Sequence, residues 1–252
     1  MTAFIASRKL LAGAALLASG LAVSTSARAA TVVYDTPAAD TYVSVAAPDT
    51  NYGTAVSLIT RSPNNSSGRL AYVRFDLDSR LTTAVTDATL SFTLNGITGN
   101  AGTEATVTVY GLNYDYAPGS GEPGLDWAEG SLTNSNAPWA ASGSGSVSAN
   151  VTALGTFTVS VDPEAAAGTL YSITGTALAA FLETFRVNGV DDATFILRSN
   201  NSSLLYFASK ENVTYDPASL TVITAAAVPE PSECALLAGA AMLTLALWRR
   251  RC

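Results

Sequence analysis

Apolar and polar residues alternate along most of this chain. A period of two puts successive side chains on opposite faces of an extended strand. Eleven such segments, rich in Val, Thr, Tyr and Phe, predict strands at 31–35, 41–45, 56–61, 69–77, 88–94, 105–113, 155–161, 169–173, 193–198, 204–209 and 219–224. Gly, Pro, Asn and Ser fill the connections, which is turn chemistry. Short strands without alternating helices predict an all-β, jelly-roll-like β-sandwich. One segment switches to the helical period. Ala177, Leu178, Phe181, Leu182 and Phe185 fall on one face, Thr176 is placed to cap the helix, and Asn188-Gly189 to stop it. This one short helix is expected to close an end of the sandwich.

The stretch 114–150 breaks the alternation. A long irregular segment in a compact domain is either functional or disordered. Its Tyr114, Tyr116, Trp127 and Trp139 predict partial packing. Trp127 is expected to anchor it in the core, with Asp126 and Glu129 making local turn or cap hydrogen bonds. Tyr114, Tyr116 and Trp139 are the candidates for an exposed stacking platform.

Both ends depart from the pattern. Arg8 and Lys9 precede an apolar run at 10–23, and Ala27-Arg28-Ala29 is a small-x-small cleavage site. This has the form of a secretory signal peptide, an N-terminal signal helix cut after Ala29. At the other end Pro229-Glu230-Pro231-Ser232 leads into the uncharged run 235–248 and then Arg249, Arg250 and Arg251. As a helix, that run would rise ~21 Å, against a bilayer core of ~30 Å. Its basic end would face the cytoplasm. The arrangement resembles the PEP-CTERM sorting signal of bacterial proteins handled by exosortases. The resemblance implies a C-terminal transmembrane helix held transiently in the inner membrane, an exosortase-type processing enzyme as partner, and delivery to the cell surface or extracellular matrix. The expected division is a signal peptide at 1–29, a body at 30–227 and a sorting tail at 228–252.

The body carries seven bases and eighteen acids, a net charge of −11. Such a charge repels nucleic acid and anionic lipid, so no nucleic-acid partner is expected. Both cysteines, Cys234 and Cys252, lie in the tail, which leaves the body without disulfides. The chain has no histidine, which removes Ser-His-Asp triads and imidazole metal sites. Nothing in the spacing pairs two carboxylates as a glycosidase requires. The expectation is therefore a protein that is not an enzyme and has no cofactor. A structural calcium ion is the one metal considered, with Asp35, Asp40, Asp49, Asp126 and Glu129 near irregular segments. No Asp-x-Asp-x-Asp-Gly loop is present.

Alternation also sorts the candidate binding residues. In 69–77 Ala71, Val73, Phe75 and Leu77 share one face, and Leu70, Tyr72, Arg74 and Asp76 the other. In 193–198 Arg198 opposes Phe195 and Leu197. In 204–211 Tyr206 and Lys210 share a face. Tyr72, Arg74, Arg198, Tyr206 and Lys210 are thus expected to gather on one sheet as a ligand-binding patch. Arginine pairs two-pronged with carboxylate or sulfate, and rings pack on the apolar face of a sugar. The competing reading makes each base structural, paired with an acid such as Asp76 or Glu211.

Four segments, in order, resemble the DNRLRE-type domain, also classed with carbohydrate-binding module family 96. They are Asp40-Thr-Tyr-Val43 with Asn51-Tyr-Gly53; Arg69-Leu-Ala-Tyr-Val-Arg-Phe-Asp-Leu77; Asp126-Trp-Ala-Glu-Gly-Ser-Leu-Thr133 running on to Asn136-Ala-Pro138; and Phe207-Ala-Ser-Lys-Glu211 with Pro217 and Leu220-Thr-Val-Ile223. The resemblance covers about 34–224. It implies a jelly-roll sandwich and, for some members, binding of extracellular polysaccharide such as alginate. Two positions depart. The family usually has arginine at Lys210, and tryptophan commonly follows the Leu-Thr pair, where this chain has Asn134. The expected function is an exported module that binds acidic polysaccharide. The alternative is a structural surface or matrix protein without sugar recognition, and a polysaccharide-degrading enzyme is the remaining class.

Overall fold

The computed structural model describes residues 29–63, 66–99, 103–140, 147–162, 167–226 and 249. Ala27, Pro229, Glu230, Pro231, Arg250 and Arg251 lie outside them, as do the signal run and the apolar tail. Among the described residues no helix is long and apolar enough to cross a membrane.

All eleven expected strands form. They are β1 (Ala30–Tyr34), β2 (Ala39–Ser44), β3 (Ser57–Thr60), β4 (Arg69–Asp76), β5 (Val85–Thr98), β6 (Thr103–Leu112), β7 (Val151–Val161), β8 (Leu170–Thr174), β9 (Asp192–Ser199), β10 (Leu204–Ala208) and β11 (Ser219–Thr224). One sheet runs β1-β11-β5-β10-β3, with β8 also paired to β5, and the other runs β2-β4-β9-β6-β7. Every pairing is antiparallel. The apolar sets of the two sheets meet in a shared core, Leu90, Phe92 and Phe207 from the first and Val73, Phe75, Phe195 and Val107 from the second. Ring edges meet ring faces there, as in Phe75–Phe195 and Phe92–Phe207.

The helix α1 spans Thr176–Asn188 and buries Leu178, Ala179, Phe181, Leu182 and Phe185. It packs on β5, β7 and β8 and joins the inter-sheet core. Phe181 lies so close to Gly111 of β6 that any Cβ there would collide with the ring. Two details differ from expectation. The N-cap is Gly175, at φ 120 and with no side-chain cap bond, so Thr176 is the first helical residue. Ala177 is exposed, and Ala179 takes its place in the buried stripe. Gly189 ends the helix in the left-handed region, its N–H donating to Arg186 O.

A second core lies on the opposite face of the second sheet. Leu70, Tyr72, Ile196, Tyr110 and Leu112 pack there against Tyr116, Trp127, Leu132 and Ala137 from the segment between β6 and β7. This face, which alternation offered as an open surface, is roofed by the irregular segment. The sheet is therefore buried on both sides over much of its area.

Candidate functional site

The five predicted binding residues do not share one surface. Tyr72, Arg74 and Arg198 belong to β4 and β9 of the second sheet, whereas Tyr206 and Lys210 belong to β10 of the first and the turn after it. Alternation gives the face within a strand and is silent about which sheet the strand joins.

Tyr72 is fully buried. Its hydroxyl donates to Trp139 O, and its ring meets Trp127 edge-on at 6.4 Å. Burial raises its phenol far above the ordinary range. It therefore has no face to offer a sugar. Trp127 anchors the roof as expected. It is 2% exposed, and its Nε1 donates to Thr194 Oγ1 at 2.9 Å. Arg74 is paired with Asp192, and its guanidinium lies 5.9 Å from the Trp127 ring centroid. Burial raises the Asp192 carboxyl despite that pairing.

Arg198 lies four residues along β9 from Thr194, the partner of Arg74. At ~3.4 Å per residue along the strand and ~4.8 Å between strands, this sets the two side-chain stems about 14 Å apart. Arg198 sits 5.8 Å over the half-buried Trp139 ring, which itself meets Tyr110 at 4.9 Å. Of the expected platform, Trp139 is half-buried, Tyr116 is buried and donates to Glu122 Oε2 at 2.6 Å, and Tyr114 packs edge-on against Phe185.

Lys210 enters a cluster of acids. Its Nζ pairs with Glu129 Oε2 at 2.6 Å, and its backbone N–H donates to Asp40 Oδ2 at 2.8 Å. Glu129 Oε1 accepts the Asp40 N–H at 3.1 Å. Where local bonds are expected of Glu129, it instead ties the roof to β2 and to the turn after β10. Burial pushes the Asp40 carboxyl up to about 7, opposed by the Lys210 N–H and reinforced by Glu211 and Glu129.

Tyr206 lies near enough to Tyr42 to act on its phenol, beside a strip that alternation did not reveal. Tyr42 and Tyr52 stack at 4.2 Å and 16°. Arg69 lies 5.5 Å over the Tyr42 ring, and Arg69 bridges antiparallel to Arg61. Burial raises the Tyr42 phenol, Arg69 opposes, and Tyr52 and Tyr206 reinforce it. Tyr52, Tyr206, Arg61 and Arg69 are all half-exposed. Among the described residues neither Arg61 nor Arg69 forms an ion pair. A hollow of about 270 Å³ adjoins Arg61, walled by Thr98, Ser202, Ser203 and Leu204. The strip forms where β2 and β3, the outer strands of the two sheets, approach each other. The signal that existed was the pair of arginines at facing strand ends. Its meaning depended on β2 and β3 meeting across the sandwich. A larger cavity of about 480 Å³, between α1 and the start of the roof, contains Tyr114, Phe181 and one acid, Asp115, but no base.

The model of carbohydrate-binding module family 96 matches residues 31–169. The chain belongs to that family. Residues 31–169 carry the carbohydrate-binding module on the β-sandwich, with rings and guanidinium groups on one sandwich edge. No curated protein was found to match the chain. The match ends before β8, so it spans β1 to β7 and the roof.

Proposed function

We propose that this chain is an exported, non-catalytic module that binds an acidic polysaccharide at the cell surface or in the extracellular matrix. A PEP-CTERM tail and an exosortase-type processing enzyme bring it there from the inner membrane. Membership of a carbohydrate-binding family is the observation that carries the binding reading. The edge strip of Arg61, Arg69, Tyr52 and Tyr206 supports an acidic ligand, because guanidinium groups pair with carboxylates while rings pack on sugar faces. Arg198 beside Trp139 is a second, smaller contact of the same kind. The strand orders β1-β11-β5-β8 and β4-β9-β6-β7 within the two sheets support reading the sandwich as a jelly roll.

Affinity electrophoresis tests the binding. The wild type should be retarded by alginate and not by a neutral glucan, and Arg61→Ala with Arg69→Ala should remove most of that retardation. A wild type retarded by no polysaccharide would sink the reading. A second reading, a structural matrix protein, is favoured by the internal pairing of Arg74 and Lys210, and that negative result would support it. For sorting, mass spectrometry should find the mature chain ending near 228–232 in a host that carries an exosortase. An intact Arg249-Arg250-Arg251-Cys252 end at the cell surface would reject it.

A further inference from the structure

We propose that Asp40, Glu129 and Glu211 hold one divalent cation of the calcium class, and that this ion locks the segment between β6 and β7 onto the edge of the sandwich.

Three distant parts of the chain converge here: β2 supplies Asp40, the roof supplies Glu129, and the turn after β10 supplies Glu211. Each offers a carboxylate oxygen, and the three oxygens lie within 4.8 Å of one another. Asp40 is 1% exposed. Its Oδ2 accepts the Lys210 N–H, but its Oδ1 is buried with no hydrogen-bond partner among the described residues. Glu211 Oε2 is in the same condition. Buried polar oxygens almost always have a partner, and leaving a charged one without is costly. Two such oxygens in one small acidic cluster are what a bound cation satisfies. Charge agrees. Three carboxylates against the single Lys210 ammonium leave −2, which a divalent ion neutralises.

The surroundings hold the acids in place. Asn51 Nδ2 donates to Glu129 O at 2.7 Å and to Leu132 O at 2.8 Å, fixing the roof beside Asp40. Gly53 lets the chain pass Glu129, because a Cβ there would come within 2.6 Å of Glu129 Cγ and O. Ser209 Oγ accepts the Glu211 N–H at 3.3 Å and donates to Ala55 O at 2.7 Å. An all-oxygen set drawn from three segments suits calcium, which tolerates irregular geometry, better than magnesium, which demands a near-ideal octahedron. The body offers no imidazole or thiol to favour a softer metal. No residue of the arginine–tyrosine strip takes part, so this site stands apart from the sugar-binding reading.

The test is isothermal titration calorimetry on the full-length chain after chelator treatment, with calcium chloride and separately magnesium chloride, alongside thermal unfolding by circular dichroism. Calcium should bind at one per chain, at least about tenfold more tightly than magnesium, and should raise the unfolding midpoint, since a ligand that binds only the folded state stabilises it. Glu211→Gln should keep the wild-type spectrum and weaken calcium binding at least about tenfold, equivalent to ~1.4 kcal/mol. Asp40→Asn should weaken it further. If Asp40→Asn fails to fold, the half-buried Glu211 decides the matter alone. No calcium heat up to millimolar concentration, equal affinity for magnesium, or wild-type affinity in a folded Glu211→Gln would each overturn the proposal.

Discussion

Tyr34 donates its hydroxyl to Leu77 O at 2.5 Å, and the Arg80 guanidinium lies 4.0 Å over its ring. Burial pushes this phenol up to about 12, with Arg80 pulling against it. A phenol raised in the folded state contributes nothing adverse below about pH 10, where both states are protonated. As pH climbs from there through about 12, the unfolded chain sheds its proton first and stability falls. Denaturant unfolding from pH 8 to 12 should show this decline, and Tyr34→Phe should flatten it while costing ~1 kcal/mol at pH 8 for the lost hydrogen bond. An unchanged alkaline slope in the variant would assign the decline to other groups, of which buried Tyr72 is the strongest. At this scale the sequence named residue types well and partners poorly. Arg74 and Lys210 are indeed held by acids, but by Asp192 and Glu129 rather than by Asp76 or Glu211. Those partners sit 118 and 81 positions away in the chain, beyond any local pattern.

The roof between β6 and β7 is the element whose role the sequence showed least. It has no regular period because it makes few backbone ladders; it is held by side chains instead. Trp127 fills a socket on the outer face of β4 and β9 and bonds Thr194. Trp139 supplies the carbonyl that satisfies Tyr72. Trp127→Ala should therefore cost about 3–5 kcal/mol by urea denaturation. Limited proteolysis of the variant should cut first within 114–150, since the sandwich core does not depend on this ring. Cleavage beginning elsewhere would show that the roof is held mainly by its other contacts. The strands, by contrast, were each legible from their own alternation, although β5 extends to Val85–Thr98 where 88–94 is expected, and β7 starts at Val151 rather than 155. The helix was legible too, apart from the cap that Gly175 takes from Thr176 and the place that Ala179 takes from Ala177 in the buried stripe.

At the scale of the molecule, the family match ends where four of the eleven strands and the helix are still to come. β9 runs between β4 and β6, and β11 between β1 and β5. Without them the second sheet is split at its centre and β1 is cut off from the first. A chain ended at residue 169 should lack cooperative unfolding and show an unfolded circular dichroism spectrum. A truncated chain that melts with the sharp transition of the full protein would show that β1 to β7 form a complete unit. Such interleaving of late strands between early ones also predicts slow folding, because the central pairings close long loops before they contribute stability.

The division between what the sequence determined by itself and what tertiary structure decided follows from range. Alternation, turn residues and helical period act over a few positions, so eleven strands, one helix and the inward sets of β4 and β9 could be read directly. Which sheet a strand joins, and what covers its outward face, depends on contacts between residues far apart in the chain. Tyr72 turned from a surface ring into a buried one because the roof folds over β4. Lys210 left the imagined patch because Glu129 of the roof takes its ammonium. Asp40, Glu129 and Glu211 look like three ordinary acids along the chain, and only the folded sandwich brings their carboxylates within 4.8 Å.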